Sequence, residues 1–218
     1  PLLLLILSIS VGRYGISPKE ILYSFFQWIS GRDMGMDDAT YSVAIRIRLE
    51  RGVEGLLVGG ALAVSGACFQ SIFRNPLVSG GMLGVSGGAG FGAALSILIF
   101  SGTFMTSIFA FIFGIGAVIL AYLVGRTNGG TPTLTLVLGG IIVQSIFSAL
   151  ISLLKYVADP LGQLPTITFW LMGSLADTKT EELIMAVFPM VAGMVGIFLF
   201  RWRLNVMSMG DREAKTMG

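Results

Sequence analysis

The sequence has no histidine, one cysteine and few charged residues. The lack of histidine, together with a lone Cys68, disfavours a soft-metal site or a haem with histidine ligands, and it leaves no disulfide framework. Charged residues make up 12% of the 218 residues, against about 25% in soluble domains. The net charge of +2 is too small and scattered to indicate nucleic-acid binding.

Apolar residues dominate instead, at 54% of the chain, with a mean hydropathy of +0.85. Five runs of about 20 residues, the length of helix that crosses a bilayer, lie at 53–73, 77–100, 104–125, 133–157 and 181–200. None shows the alternation of a barrel strand. The opening run 1–12 resembles the end of a further spanning helix, and 165–176 a half-helix or surface helix. We therefore predict an all-α polytopic membrane protein with about six transmembrane helices.

Small residues recur at helical spacing within these runs. Gly80, Gly84, Gly88 and Gly92 are four residues apart, which predicts one helix face where a second helix packs closely. The letters GGAGFG in this region do not indicate a nucleotide loop, because that motif needs a preceding strand and a βαβ unit.

Between the first two of the five runs stands Arg74-Asn75-Pro76. Proline suits the first turn of a helix and asparagine suits the N-cap. These residues predict a helix–turn–helix joint, with the second helix beginning at Pro76.

Several blocks, in order from about residue 46, resemble the permease subunits of ABC importers of the FecCD/BtuC type. The strongest block is RNPLVSGGMLGVSGGAGFGAAL; RLERGVEGLLVGGALAVSGACFQSIF precedes it, and LVLGGIIVQSIFSALISLL, FWLMGSLA and RLNVMSMGDREAKTMG follow. Two departures stand out. The family's Arg-Leu-Pro-Arg reads Arg-Leu-Glu-Arg here, with Glu50 in place of proline, and its Ala-Asp-Pro reads Val-Ser-Gly at 78–80.

The resemblance implies a single permease domain over 1–218, truncated at both ends, that corresponds to the N-terminal portion of a ten-helix BtuC-like permease. It implies a multi-pass protein of the prokaryotic inner membrane, carrying an iron-siderophore, haem or cobalamin-type chelate by ATP-driven alternating access. The implied partners are a second permease subunit in a homodimer, a cytoplasmic ABC ATPase, an extracytoplasmic substrate-binding protein and membrane lipid. No cofactor, metal or nucleic acid is expected.

The segment 205–218 is implied to be the cytoplasmic coupling segment. Composition alone would make its end a solvated loop, but acidic residues in a first turn and a lysine near the end also suit a short exposed helix. The residues implied to contact the ATPase are Asp211, Arg212, Glu213, Ala214, Lys215 and Gly218.

Two further groups gain roles from the resemblance. Arg48 and Arg51 match the family's arginine pair, which receives acidic residues of the binding protein; membrane anchoring by long basic side chains is the alternative. Thr133, Thr135, Gln144 and Ser148 are placed along the pore and its gate, although serine and threonine in membrane helices often bond only to their own helix.

Other functions remain as alternatives. A secondary transporter or channel would carry ionisable residues within its spans, and the runs here have almost none. A membrane enzyme would need a nucleophile–base or metal constellation. The sequence contains no GxxxxGK[ST] phosphate loop, so ATP hydrolysis is expected in a separate subunit.

Overall fold

A computed structural model describes residues 8–12, 14–33, 35–76, 78–100, 102–126, 133–175 and 180–209. Within these ranges the chain is helical or irregular and contains no strand, which confirms the all-α prediction. In chain order the elements are α1 (Pro18–Ser30), α2 (Asp38–Tyr41), a π-helix (Ser42–Leu49), α3 (Glu50–Phe73), a 3₁₀ turn (Gly80–Leu83), α4 (Val85–Ile99), α5 (Thr103–Gly125), α6 (Thr133–Val157), α7 (Gln163–Met172), α8 (Thr180–Leu199) and α9 (Arg201–Met209).

Among the described residues, three helical segments are long and apolar enough to cross a membrane. They are Asp38–Phe73, which joins α2, the π-helix and α3, followed by Thr103–Gly125 and Thr133–Val157. Leu183–Leu199 and Arg201–Ser208 meet the same criterion only together, as a bent pair.

The second apolar run is broken, so the prediction of one unbroken helix over 77–100 is wrong. Its helix, α4, has 15 residues and is therefore about 22 Å long, which is short of the ~30 Å hydrocarbon core. The residues before it form the 3₁₀ turn, and Gly84 then adopts the left-handed conformation, with φ +78°.

The same break corrects the predicted glycine face. Gly80 lies in the 3₁₀ turn and Gly84 at the turn–helix junction, so only Gly88 and Gly92 of the four belong to α4. Sequence spacing alone misses this because it assumes one unbroken helix. Gly80 faces the ring of Phe69, where a β-carbon would lie 3.0 Å from Cε2.

The chain forms two compact units. The described residues of Pro1–Ala63 and Leu175–Gly196 form the first, and those of Val64–Ser174 and Ile197–Gly218 form the second. The core of the first unit contains Ile16, Ala44 and Ile45.

The second unit is built around α4, α5 and α6. One core cluster combines Ala117 and Ala121 of α5 with Val143 and Phe147 of α6. Phe91 of α4 contacts it through aromatic pairs with Phe113 and Phe147, at centroid distances of 5.2 and 5.5 Å. A second cluster buries Ala94 of α4 against Ala158 and Ile167.

Gly88 and Gly92 are the points where α4 and α5 approach most closely. A β-carbon on Gly88 would lie 2.6 Å from Cβ of Ala117 and closer still to the carbonyl oxygen of Phe113. A β-carbon on Gly92 would lie 2.7 Å from the carbonyl carbon of Phe109. Because the opposing atoms are mostly backbone, they cannot move aside as a side chain can.

Replacing either glycine with alanine is expected to force α4 and α5 apart. Overpacking costs about 1–3 kcal/mol, more than the ~1 kcal/mol that alanine gains over glycine in a helix. Gly116→Ala is the matched control, since nothing lies within 4 Å of a β-carbon there. Melting temperatures in detergent should fall for Gly88→Ala and Gly92→Ala and hold or rise for Gly116→Ala. Equal melting temperatures for the three variants would contradict the close crossing.

Candidate functional site

Arg48 lies in the π-helix of the first unit, where it holds the chain segment before α1. Its half-buried guanidinium donates to the carbonyl oxygen of Ile9 at 2.8 Å and to that of Tyr14. The phenolic oxygen of Tyr14 in turn lies 3.4 Å from the hydroxyl of Thr40. π-Helices are rare overall, and those that occur are frequently found at functional sites. The sequence did not reveal this role, because both carbonyls are more than 30 residues from Arg48.

Arg51 follows at the second residue of α3, and its side chain is exposed. Both arginines line a cavity of about 520 Å³ whose other walls include Val43, Ile47 and Leu56. The structure thus places the two predicted docking residues beside one cavity but in different environments. Arg48 binds backbone within its own unit, and Arg51 presents its side chain at the surface.

Glu50 stands between these arginines, where the similar family has proline. Its backbone N–H donates to the carbonyl of Ile47, a bond that proline cannot make. The helical segment Asp38–Phe73 therefore continues through this position. One carboxylate oxygen of Glu50 accepts a hydrogen bond of 2.8 Å from the hydroxyl of Thr180, the first residue of α8. A carboxylate at a helix N-terminus is also favoured by the helix dipole.

The joint after α3 differs from the predicted one. The backbone N–H of Arg74 donates to the carbonyl of Ser71, and that of Asn75 donates to the carbonyl of Gln70. With Arg74 at φ +49°, these bonds form a Schellman motif that ends α3. The prediction that Asn75 caps a helix beginning at Pro76 is therefore wrong, because Asn75 and Pro76 lie in the turn and α4 begins at Val85.

The start of α4 is held by α6. A β-carbon on Gly84 would lie 3.2 Å from the carbonyl oxygen of Gly140, and one on Gly140 would lie 2.8 Å from Cα of Leu83. Beside this contact the side-chain carbonyl of Gln144 accepts a hydrogen bond of 2.9 Å from the backbone N–H of Gly87. That N–H belongs to the first turn of α4, where no intrahelical acceptor is available.

The four predicted pore residues do not converge. Thr133 is exposed at the first residue of α6, and Thr135 follows two residues later. Gln144 and Ser148 lie one turn apart, about 16 and 22 Å along the helix axis from Thr133. Ser148 is exposed, whereas half-buried Gln144 is bound to α4. The sequence identified Gln144 as a polar residue within a span. It did not predict the hydrogen bond to Gly87, because the two residues are 57 positions apart.

The predicted coupling residues 211–218 lie outside the described residues, which end within α9 at Met209. Within the described part of the chain, no group of three or more His, Cys, Asp or Glu residues is placed to hold a metal ion.

Comparison with known proteins gives one consistent family. The model of the FecCD transport family matches residues 1–218. The molybdate import system permease protein MolB of Haemophilus influenzae is 37% identical over 98% of this chain and 63% of its own length. The cobalamin import system permease protein BtuC of Halobacterium salinarum is 33% identical over 84% of this chain and 50% of its own.

A solved structure agrees with these sequences. An inward-facing metal-chelate type ABC transporter matches with a TM-score of 0.81 and 34% identity, over all of this chain and 64% of the other. The chain thus spans less than two thirds of the length of the relatives it matches.

Arg48→Met is expected to loosen the segment that Arg48 holds. Loss of hydrogen bonds from a charged donor, each worth about 1.5–3 kcal/mol, should lower the unfolding free energy and speed amide exchange over residues 9–14. Arg46→Met is the matched control, because Arg46 is an exposed arginine of the same π-helix. Hydrogen exchange by mass spectrometry in lipid nanodiscs measures both variants. If the two behave alike, the guanidinium does not hold the segment.

Proposed function

Because the chain belongs to the FecCD transport family, whose members here are ABC permeases, we propose that it forms part of a permease that moves a metal-containing ligand inward by ATP-driven alternating access. The observation that carries the proposal is the family match over residues 1–218, supported by the structural likeness to a metal-chelate type transporter. The chain is a multi-pass membrane protein, and we place it in the inner membrane of a prokaryotic cell.

The energy source in this proposal is a separate cytoplasmic ATPase. The 218 residues contain no phosphate loop of the GxxxxGK[ST] type, and the relatives named above are called permease proteins. The residues proposed to contact the ATPase are those of the coupling segment, Asp211, Arg212, Glu213, Ala214, Lys215 and Gly218. A short helix seated in a groove of the ATPase would pass its closure on as a rigid-body motion.

The binding protein is proposed to dock at the other end of the permease, on the surface that carries Arg51. Exposed arginine can take a carboxylate in two parallel hydrogen bonds. Arg48 contributes in a different way, since its guanidinium is bonded to the carbonyls of Ile9 and Tyr14. It keeps the chain beside the cavity in place, and its positive charge adds to the local field.

A homodimer with a central pore completes the proposed assembly. Thr133 and Thr135 are assigned to the cytoplasmic gate and Ser148 to the pore wall. Gln144 is assigned a positioning role beside them, because its side-chain carbonyl is bonded to α4.

The proposed substrate is an iron-siderophore, haem or cobalamin-type chelate. The two relatives described above are named for different ligands, molybdate and cobalamin. The spans are nearly uncharged, and a pore of that kind suits a bulky ligand that the binding protein delivers already wrapped. Molybdate is the necessary comparison, because the relative at 37% identity is named for it.

Reconstitution tests the proposal directly. The full-length permease is placed in proteoliposomes with the ATPase and binding protein encoded beside it, and uptake of iron-siderophore, haemin, cobalamin and molybdate is measured. We expect uptake of one chelate that requires ATP and the binding protein and stops when the ATPase carries a Walker B Glu→Gln substitution. Uptake driven by a proton or sodium gradient without the ATPase would instead establish a secondary transporter.

The coupling segment supplies a matched pair of variants for the same assay. Ala214→Trp should prevent the ATPase from seating, so that ATPase co-purification and transport are both largely lost. Ala214→Gly should weaken the helix by only about 1 kcal/mol and reduce transport much less. Undiminished ATPase retention and transport for Ala214→Trp would leave the segment as an ordinary loop, with the transport function itself intact.

A further inference from the structure

We propose that α1 is an interfacial helix whose apolar face inserts among the lipid headgroups and upper acyl chains of the bilayer. The helix is well defined at both ends. Ser17 and Glu20 form a reciprocal capping box, and Gly31 ends the helix in the left-handed conformation. The hydrogen bonds from Ser17 hold the pKa of the Glu20 carboxyl below its usual value, so the cap is fully formed at neutral pH and weakens only in acid.

The side chains of α1 divide into two faces. At 100° per residue, four large apolar side chains fall within an arc of about 100°. These are Leu22, Phe25, Phe26 and Ile29, with exposed fractions of 62%, 42%, 62% and 66%. The opposite side carries Glu20 and Gln27, about 150–170° from the centre of the apolar arc. This division is typical of helices that lie in the membrane surface rather than across it.

Tyr23 and Trp28 occupy the two boundaries between these faces. Each lies about 100–120° from the centre of the apolar arc on its own side, and their exposed fractions are 52% and 53%. Phenol and indole rings are enriched at membrane–water interfaces because one part of each ring system is apolar and the other forms hydrogen bonds. Their placement here marks the depth at which lipid gives way to water.

The position of α1 in its unit puts this face near the membrane. Ile21 of α1 packs against the cluster of Ile16, Ala44 and Ile45. Ala44 and Ile45 lie in the π-helix, whose residues continue as part of the spanning segment Asp38–Phe73. Only 6% of the most apolar window of that segment is buried, so the described part of the chain leaves this apolar surface largely uncovered, and α1 extends it.

The end of the apolar run 1–12 also lies close to α1. Arg48, one turn beyond Ala44 and Ile45, is bonded to the carbonyl of Ile9, which belongs to the apolar run 1–12. Arg48 therefore lies level with the end of an apolar run, and α1 begins only a few residues after that run ends.

Lipid is a better occupant of this face than a protein partner or water. With 13 residues, α1 is about 20 Å long and cannot span the hydrocarbon core. Its charges are one lysine and one glutamate, which gives no net field to steer a charged partner or select anionic lipid. The insertion is therefore hydrophobic and should be the same in zwitterionic and mixed bilayers.

Spin-label accessibility tests the proposal in the intact protein. The full-length permease, with Cys68→Ser and any other cysteines replaced, receives single cysteines from position 19 to position 30 for nitroxide labelling. Electron paramagnetic resonance then measures collision with oxygen, which concentrates in lipid, and with a water-soluble nickel chelate. The accessibility measurement is made on the folded protein and requires neither unfolding nor transport.

We expect oxygen accessibility to exceed nickel accessibility at positions 22, 25, 26 and 29 and the order to reverse at positions 20 and 27, with a period near 3.6 residues. The pattern should be unchanged between phosphatidylcholine vesicles and vesicles with added phosphatidylglycerol. Low accessibility to both probes at the four apolar positions would mean that protein covers the face. High nickel accessibility there would mean that it faces water. Either result overturns the proposal.

Discussion

The core of the second unit depends on close contact between α6 and the segment that precedes α4. The described residues between Phe73 and Val85 are not α-helical, and in a bilayer such backbone is tolerated only where protein covers it. Helix α6 provides that cover at Gly140, where a β-carbon would lie 2.8 Å from Cα of Leu83. Val78 and Leu83 of the interrupted segment are buried, at 3% and 4% exposure. A larger residue at position 140 would remove the contact.

Close backbone contacts of the same kind hold α4, α5 and α6 together within the second unit. Gln144 bonds the first turn of α4 to α6, and glycines bring α4 onto α5. A further glycine, Gly139, brings α6 to α5, where a β-carbon would lie 2.8 Å from the carbonyl oxygen of Ala121. Because these contacts join backbone to backbone, a displacement of one helix is passed to the next with little change in the distance between them. In the proposed transport cycle, motion at the Thr133 end of α6 would therefore reach the start of α4 directly.

The sequence predicts part of this arrangement and misses the rest for physical reasons. The helices α3, α5 and α6 follow from nearly uncharged runs of spanning length, which depend on local composition alone. The interruption was missed because Val78, Met82 and Leu83 keep the hydropathy of the run high. The signal that pointed to it was conformational, since Gly80 and Gly81 closely precede Gly84, where φ is positive.

Contacts between residues far apart in the sequence also could not be predicted. Arg48 and Gln144 were both recognised as polar residues of interest, but their partners are main-chain groups 34 to 57 residues away. Main-chain groups carry no sequence signal of their own. The resemblance to a permease family supplied roles for both residues, and the structure shows what each of them touches.

The most direct test of this account is the exchange rate of one amide. Electron-transfer fragmentation of the deuterated permease in nanodiscs can resolve the N–H of Gly87. We expect that amide to be protected in the native protein and to exchange about tenfold faster in Gln144→Leu, as loss of a hydrogen bond of about 1.4 kcal/mol implies. Ser145→Ala, whose hydroxyl bonds only to Ile141 of its own helix, should leave the rate unchanged. A Gly87 amide that exchanges equally fast in the native protein and in Gln144→Leu would contradict the claim that α6 holds the start of α4.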